Sequence, residues 1–340
     1  MGTNTIVFLD KEDFSFQDIN EKPLAGAQSA FIELVQAFRE SGFYVIVRNN
    51  CLRPYTDASL DWQHFSVSEI PKGDLYIVNR STSLLPLVPK GKKILFWLHN
   101  EGKYLVSPVN LKSLIRRYPT LVFSGLYHRS TFPLWFLFRH RVIPYGISTK
   151  FLHFKKAVTP ARPKVIFTSN PLRSLDWLME RWKVIHAKVP KAELHVFSGP
   201  ATYGSWGNSV ADRMKKVLDQ VKSYESHGVI LREPIRKDKL VEEIKTSRSM
   251  FYRGDKAETF CLAIAEVQAM GLPCVVQDLG SMKERIVNGV TGFVTTSDKE
   301  FEDRAIAILS DDKLWMEMNQ ALITGVYYKT WKQSAEMFMA

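Results

Sequence analysis

The chain has 340 residues, 45% hydrophobic and 24% charged, the balance of an ordinary globular protein and long enough for two domains of roughly 150 residues each. Lysine and arginine outnumber the acidic residues 46 to 35, a formal charge of +11, which favours anionic partners such as nucleic acid, anionic lipid or phosphorylated small molecules. Cys51, Cys261 and Cys274 are too few and too widely spaced for a disulfide framework or a zinc pattern, so a reducing cytoplasm is expected.

The opening "MGTNTIVFLD" has no basic n-region, and no secretory leader is expected. Ile6 stands where a myristoylation signal carries Ser or Thr. No apolar run approaches the ~18 residues of a membrane span. "TIVFL" reads as a buried strand, "AQSAFIELVQAFRESG" as an amphipathic helix closed by Gly42, and "YVIVR", "DLYIVN", "KILFWLH", "TLVFS" and "RVIPYG" as further strands. Strands recurring with helices or loops between them predict a parallel, doubly wound α/β sheet over residues 1–150.

The pattern breaks at "STKFLHFKKAVTPARP", basic and interrupted by two prolines, which reads as a linker over residues 151–163. It restarts with strand "KVIFTS", helix "LDWLMERWKVIHAKV", strand "ELHVFSG", helix "SVADRMKKVLDQVKSY", strand "GVILR", helix "KDKLVEEIKTS" and strand "SMFYR". A short helix, strand "PCVVQ" and a helical stretch near "FEDRAIAILS" complete a second α/β domain over residues 164–322. The tail, residues 323–340, is too short for a domain and is expected to form a helix packing back on the first. Two such Rossmann-like domains would face each other across a cleft at the carboxyl ends of their strands, where ligands of these sheets bind.

The most informative segment is "AETFCLAIAEVQAMGLPCVV", with Glu258 at the mouth of a helix and Glu266 near its middle. A helix of ~1.5 Å rise per residue separates the two by up to about 12 Å, too far for two ligands of one metal. The unpaired amides expected at Thr259, Phe260 and Cys261, with the helix dipole behind them, would cradle a diphosphate. The plainer alternative is a helix cap at Glu258 and a solvated face at Glu266. Ala265, Val267, Ala269 and Met270 around Glu266 weigh against that solvated face.

From Glu258 to Glu266, and on through Ala269, Gly271, Pro273, Val275, Gly280, Glu284, Gly292 and Phe293, the sequence resembles the donor site of the family 4 retaining glycosyltransferases of GT-B fold. "KPLAGAQSAFIELVQAFRESGFYVIV" is similar to the family's first glycine-rich loop, with Gly26 kept but Ala25 at its first glycine and Gln28 where a glutamate is common. His99, in "FWLHN", falls where the resemblance places a histidine near the transferred sugar; the other reading is a structural histidine at a strand end. In "IFTSNPLRSLDWLMERW", Arg173 takes the place of the family's diphosphate-binding lysine, and Ser169 or Asn170 that of its arginine. Arg173 could instead be a surface arginine capping a loop. Pro234 and Ile235 fall in the loop that flanks the nucleobase, with Glu233 at its usual glycine.

The resemblance implies a retaining transfer from a nucleoside-diphosphate sugar to a glycan or lipid-linked acceptor. Glu258 would orient sugar hydroxyls and Glu266 the ribose. No Asp-x-Asp motif is present, so no metal and no cofactor are expected, Arg173 and the helix amides taking up the leaving charge. No nucleic-acid partner is expected, because no zinc-finger, aromatic ribonucleoprotein or basic-zipper pattern is present. "LIRRYP" and "YHRSTFPLWFLFRHR" mix arginines with aromatics, the composition of a peripheral contact with an anionic inner-membrane face, or else of a buried helix. A nucleotide-sugar epimerase of the same architecture and a non-enzymatic anion-binding module are the competing readings.

Overall fold

Runs such as Thr5–Leu9 and Cys274–Gln277 are apolar on both faces, the signature of strands covered by helices on two sides. In a computed structural model, which describes residues 4–67, 70–152 and 158–340, these strands build two sheets in two separate units. One unit takes residues up to Asn20, Ala27–Gly146 and Thr330–Ala340; the other takes Glu21–Gly26 and Ile147–Lys329. Residues 153–157 of the expected linker lie outside the described residues.

The first unit carries β1 (Thr5–Leu9), α1 (Asp18–Glu21, running into the segment grouped with the other unit), α2 (Gly26–Glu40), β2 (Tyr44–Asn49), β3 (Tyr55–Thr56), β4 (Leu60–His64), β5 (Leu75–Asn79), β6 (Lys93–Trp97), α3 (Pro108–Arg117), β7 (Thr120–Phe123), α4 (Leu126–Ser130) and β8 (His140–Val142). The sheet order is β3-β4-β2-β1-β5-β6-β7-β8, parallel except for the β3–β4 edge pair. β4, "LDWQH", was not read as a strand. Its polar residues alternate with the buried Leu60 and Trp62, so it lacks the continuous apolar run of its neighbours.

After the two-residue strand β9 (Gly146–Ile147), the second unit runs β10 (Lys164–Phe167), α5 (Leu175–Lys188), β11 (Glu193–Phe197), α6 (Gly204–Ser209), α7 (Ala211–Lys222) and β12 (Val229–Arg232). It continues with α8 (Lys237–Lys245), β13 (Ser249–Tyr252), α9 (Leu262–Ala269), β14 (Cys274–Gln277), β15 (Gly292–Thr295), α10 (Asp298–Ser310) and α11 (Asp312–Thr324). All its strands are parallel, in the order β12-β11-β10-β13-β14-β15. This is the doubly wound Rossmann order, whose crevice lies where the winding reverses. Helix α9 is buried from Ile264 to Ala269, as expected of a helix apolar nearly all round.

The tail helix α12 (Trp331–Met339) belongs to the first unit. Ser334 Oγ donates to Pro144 O at 2.9 Å, and the Phe338 ring meets Trp97 edge-on at 5.4 Å. A Cβ on Gly146 would stand 2.3 Å from the Trp331 nitrogen, so only glycine admits this helix start.

Candidate active site

In the second unit the winding reverses between β10 and β13. Ser169 and Asn170 leave the carboxyl end of β10, Tyr252 ends β13, and Glu258 follows in the next loop. Asn170 shapes the β10 turn: its side-chain oxygen accepts from Leu172 N at 2.9 Å and its carbonyl from Arg173 N at 3.0 Å. That turn brings Arg173 to Glu258. The Arg173 guanidinium donates to Glu258 Oε2, and the Tyr252 hydroxyl donates to the same oxygen at 2.9 Å. The Ser169 hydroxyl lies 3.4 Å from the Tyr252 oxygen. Arg173 keeps 31% of its side chain exposed and Glu258 12%.

Burial works against the Arg173 charge, but the Glu258 carboxylate outweighs it and holds the guanidinium above its ordinary pKa. Burial, reinforced by Glu258, pushes the Tyr252 phenol well above its usual range, so it stays a neutral donor. Tyr203 is pushed the same way by burial, which outweighs the opposing effect of Arg173, with a smaller upward push from Glu258. The Glu258 loop is fixed by its own backbone: Glu258 N donates to Asp255 O at 2.9 Å, and Ser281 N donates to Glu258 O at 3.0 Å. Gly280 (φ 60°) passes over it; a Cβ there would lie 2.3 Å from Asp255 O and 2.8 Å from Glu258 O.

The helix amides are not where the sequence placed them. Helix α9 begins at Leu262, because Cys261 adopts a left-handed conformation (φ 65°) that breaks the helical path. Thr259, Phe260 and Cys261 form a buried turn ahead of it, and the leading helical N–H groups are those of Leu262, Ala263 and Ile264. Gly26 lies beside this helix start, its Cβ position 3.6 Å from the Leu262 side chain.

Glu266 is 5% exposed and forms an ion pair with Lys237, the first residue of α8. Glu266 is therefore enclosed and does not lie on a solvated face. Lys237 was missed. It stands two residues beyond Ile235, so the Pro234–Ile235 loop and Glu266 are brought together by this pair. Pro234 closes against the end of β11, its ring 3.3 Å from the Cβ position of Gly199.

His99 lies in the first unit and is not part of this cluster. It is buried, Nε2 hydrogen-bonded to Asn79 Oδ1 at 2.6 Å and Nδ1 to the Tyr145 hydroxyl. Burial, then the nearby Arg80 and His128, hold its pKa well below the usual value. The ring is neutral, donating through Nε2 and accepting from Tyr145 at Nδ1. The catalytic role expected of His99 requires one of these bonds to open. Arg80 itself pairs with the buried Asp10 at 3.3 Å.

Residues 162–311 match the family model described as Glycosyl transferases group 1. The match takes in Ser169, Asn170, Arg173, Tyr252, Glu258 and Glu266 together. The chain is 28% identical to sucrose synthase 1 of Oryza sativa subsp. japonica over 155 residues, 40% of this chain and 19% of that one. It spans about a fifth of the length of the curated relatives it matches. Among solved structures, sucrose-phosphate synthase from Thermosynechococcus elongatus superposes with a TM-score of 0.76 at 14% identity, over 99% of this chain and 97% of that one. Anabaena HepE in complex with UDP and glucose gives 0.72 at 13% identity, over 99% and 98%. These likenesses establish the GT-B fold for this chain.

Proposed function

We propose that this chain is a retaining glycosyltransferase that moves a sugar from a nucleoside-diphosphate sugar to a hydroxyl of a glycan or lipid-linked acceptor, without a metal. The observation that carries the reading is the convergence of Arg173, Tyr252 and Glu258 at the reversal point of the second sheet, just ahead of α9. The diphosphate would take Arg173, whose planar fork suits phosphate oxygens, and the leading amides of α9. Glu258, released from Arg173, would accept hydrogen bonds from the sugar hydroxyls, and Glu266 from the ribose.

In the transfer, the bond between the anomeric carbon and the phosphate oxygen breaks with its electron pair passing to the diphosphate. The acceptor hydroxyl attacks the same face and gives its proton to the departing phosphate. A Glu258 carboxylate held by Arg173 and Tyr252 supports an orienting role over a nucleophilic one. The test is stabilisation by a panel of nucleoside diphosphates, UDP and GDP among them, then product release with acceptor before and after chelation. Turnover that survives chelation is the expected result; no nucleotide response, or activity abolished by chelator and restored by a divalent ion, would contradict the reading.

The lipid-linked acceptor has its own support in the first unit. "FPLWFLF" is not a buried helix: it holds a short 3-10 turn, Trp135–Leu137, with Phe136 63% exposed and Leu137 also exposed. The Tyr118 hydroxyl donates to Leu137 O at 3.2 Å, tying this turn to the end of α3, which exposes Val109 and Ile115 and carries Arg116 and Arg117. Apolar tips among arginines suit an anionic membrane face, and with the three free cysteines we read the enzyme as cytoplasmic and peripheral. None of the described helices is long and apolar enough to cross a membrane. Sedimentation with anionic liposomes, lost in Phe136→Ser/Leu137→Ser, is expected; equal recovery in the supernatant with and without liposomes would end the idea.

A further inference from the structure

Tyr203 differs from the buried Tyr252 and Tyr224 in what its hydroxyl touches. Buried phenols ordinarily find a hydrogen-bond partner, and those two do, donating to Glu258 at 2.9 Å and to Glu180 at 2.6 Å. Tyr203 is half-buried, and its hydroxyl makes no hydrogen bond among the described residues. It still lies close to the donor cluster, since the charges of Arg173 and Glu258 both act on it. Burial keeps the phenol protonated, so it presents a proton with no acceptor.

The backbone accounts for this placement. β11 lies parallel to β10, with Val196 opposite Phe167, so both strands deliver their following loops to the same carboxyl edge. Ser198 Oγ donates to Ser169 O at 2.6 Å, which fastens the loop after β11 to the segment that leads into Arg173. Pro200–Tyr203 then form a single 3-10 turn. Gly207 of α6 packs against that turn so closely that a Cβ would stand 2.1 Å from Pro200 O and 3.0 Å from the Tyr203 Cβ. The Trp206 ring meets the Tyr203 ring edge-on at 5.5 Å. A ring seated this way, with its hydroxyl left open beside Arg173 and Glu258, is placed for a ligand atom. We propose that the Tyr203 hydroxyl donates a hydrogen bond to a phosphate oxygen of the diphosphate bound on Arg173, and so helps carry the charge left when the sugar departs. This assignment rests on the donor-site reading given above. A phenol held as a donor suits a phosphate oxygen, which only accepts, and a neutral donor aimed at developing negative charge lowers the barrier to transfer.

Tyr203→Phe removes the hydroxyl and keeps the ring against Trp206, so it tests the hydrogen bond alone. Without nucleotide the variant is expected to melt with the wild type, because no hydrogen bond among the described residues is lost. Titration calorimetry with UDP or GDP is expected to show affinity weakened by roughly 10- to 150-fold, the worth of a hydrogen bond to a charged group. Inhibition by the bare nucleoside, which carries no phosphate, is expected to be unchanged. A Tyr203→Phe variant that binds nucleoside diphosphate as tightly as the wild type, while Arg173→Met binds it poorly, would overturn this proposal and leave the donor-site reading standing. Equal loss for the bare nucleoside would place the hydroxyl on the base or ribose and overturn it too. So would a variant that melts well below the wild type without nucleotide, since the hydroxyl would then serve the fold. If the wild type binds no nucleoside diphosphate, or Arg173→Met binds it unimpaired, the donor-site reading itself fails and the proposal falls with it.

Discussion

Glu258→Gln separates two consequences of the Arg173–Glu258 pair. Two unit charges about 4 Å apart attract by roughly 4 kcal/mol at an effective dielectric near 20. With Arg173 31% exposed and Glu258 12%, solvent screening and desolvation leave a net contribution of about 1–2 kcal/mol. The variant keeps the shape and the Tyr252 contact, so its melting temperature should fall by about 2–8 °C. The same attraction has to be surrendered when a diphosphate takes Arg173. Its removal should therefore tighten nucleoside diphosphate binding by about 1–2 kcal/mol, roughly 5- to 30-fold. Transfer should move the other way, because loss of charged hydrogen bonds to the sugar at about 1.5–3 kcal/mol each lowers kcat/KM by roughly 10- to 150-fold per bond. Isothermal titration with UDP or GDP, beside steady-state transfer with the matching donor, reads both. A Glu258→Gln variant that binds nucleoside diphosphate as poorly as Arg173→Met would refute the idea that Glu258 masks Arg173.

Four other expectations can be checked alongside. Arg173→Met should weaken nucleoside diphosphate binding by about 1.5–3 kcal/mol, a 10- to 150-fold rise in Kd by titration. Lys237→Met takes the lysine from the enclosed Glu266 carboxylate and should cost about 2–4 kcal/mol in denaturant unfolding, while Glu266→Gln should narrow the preference for UDP over its 2′-deoxy counterpart. His128 is fully buried and its pKa is lowered to about 4, chiefly by burial. Its stabilising contribution is complete above the unfolded value near 6.5 and is lost as pH falls toward 4, an acid slope worth about 3 kcal/mol that His128→Gln should flatten in melts between those limits.

Much of this architecture could be read from apolar runs, because parallel strands buried on both faces leave a continuous signature, as "TIVFL" and "PCVVQ" do. β4 escaped because its buried residues are only Leu60 and Trp62, and β15 because "GFVT" is short and opens on Gly292. The leading amides of α9 were misplaced by three residues, since nothing in "ETFCLA" announces that Cys261 takes a positive φ. The two glutamates were legible by spacing. Their partners were not: Tyr252 and Lys237 meet them only through the juxtaposition of β13 and α8 with α9, which a linear pattern does not encode. His99 was found by its place at a strand end, but the Asn79 and Tyr145 bonds that immobilise it come from remote segments.

The most direct test is a solved complex with a nucleoside-diphosphate sugar. The account predicts the diphosphate within hydrogen-bonding reach of Arg173 and of the Leu262 and Ala263 amides, Glu258 turned from Arg173 to the sugar, and Glu266 on the ribose. A ligand bound elsewhere, or bound with the Arg173–Glu258 pair still closed, would contradict it.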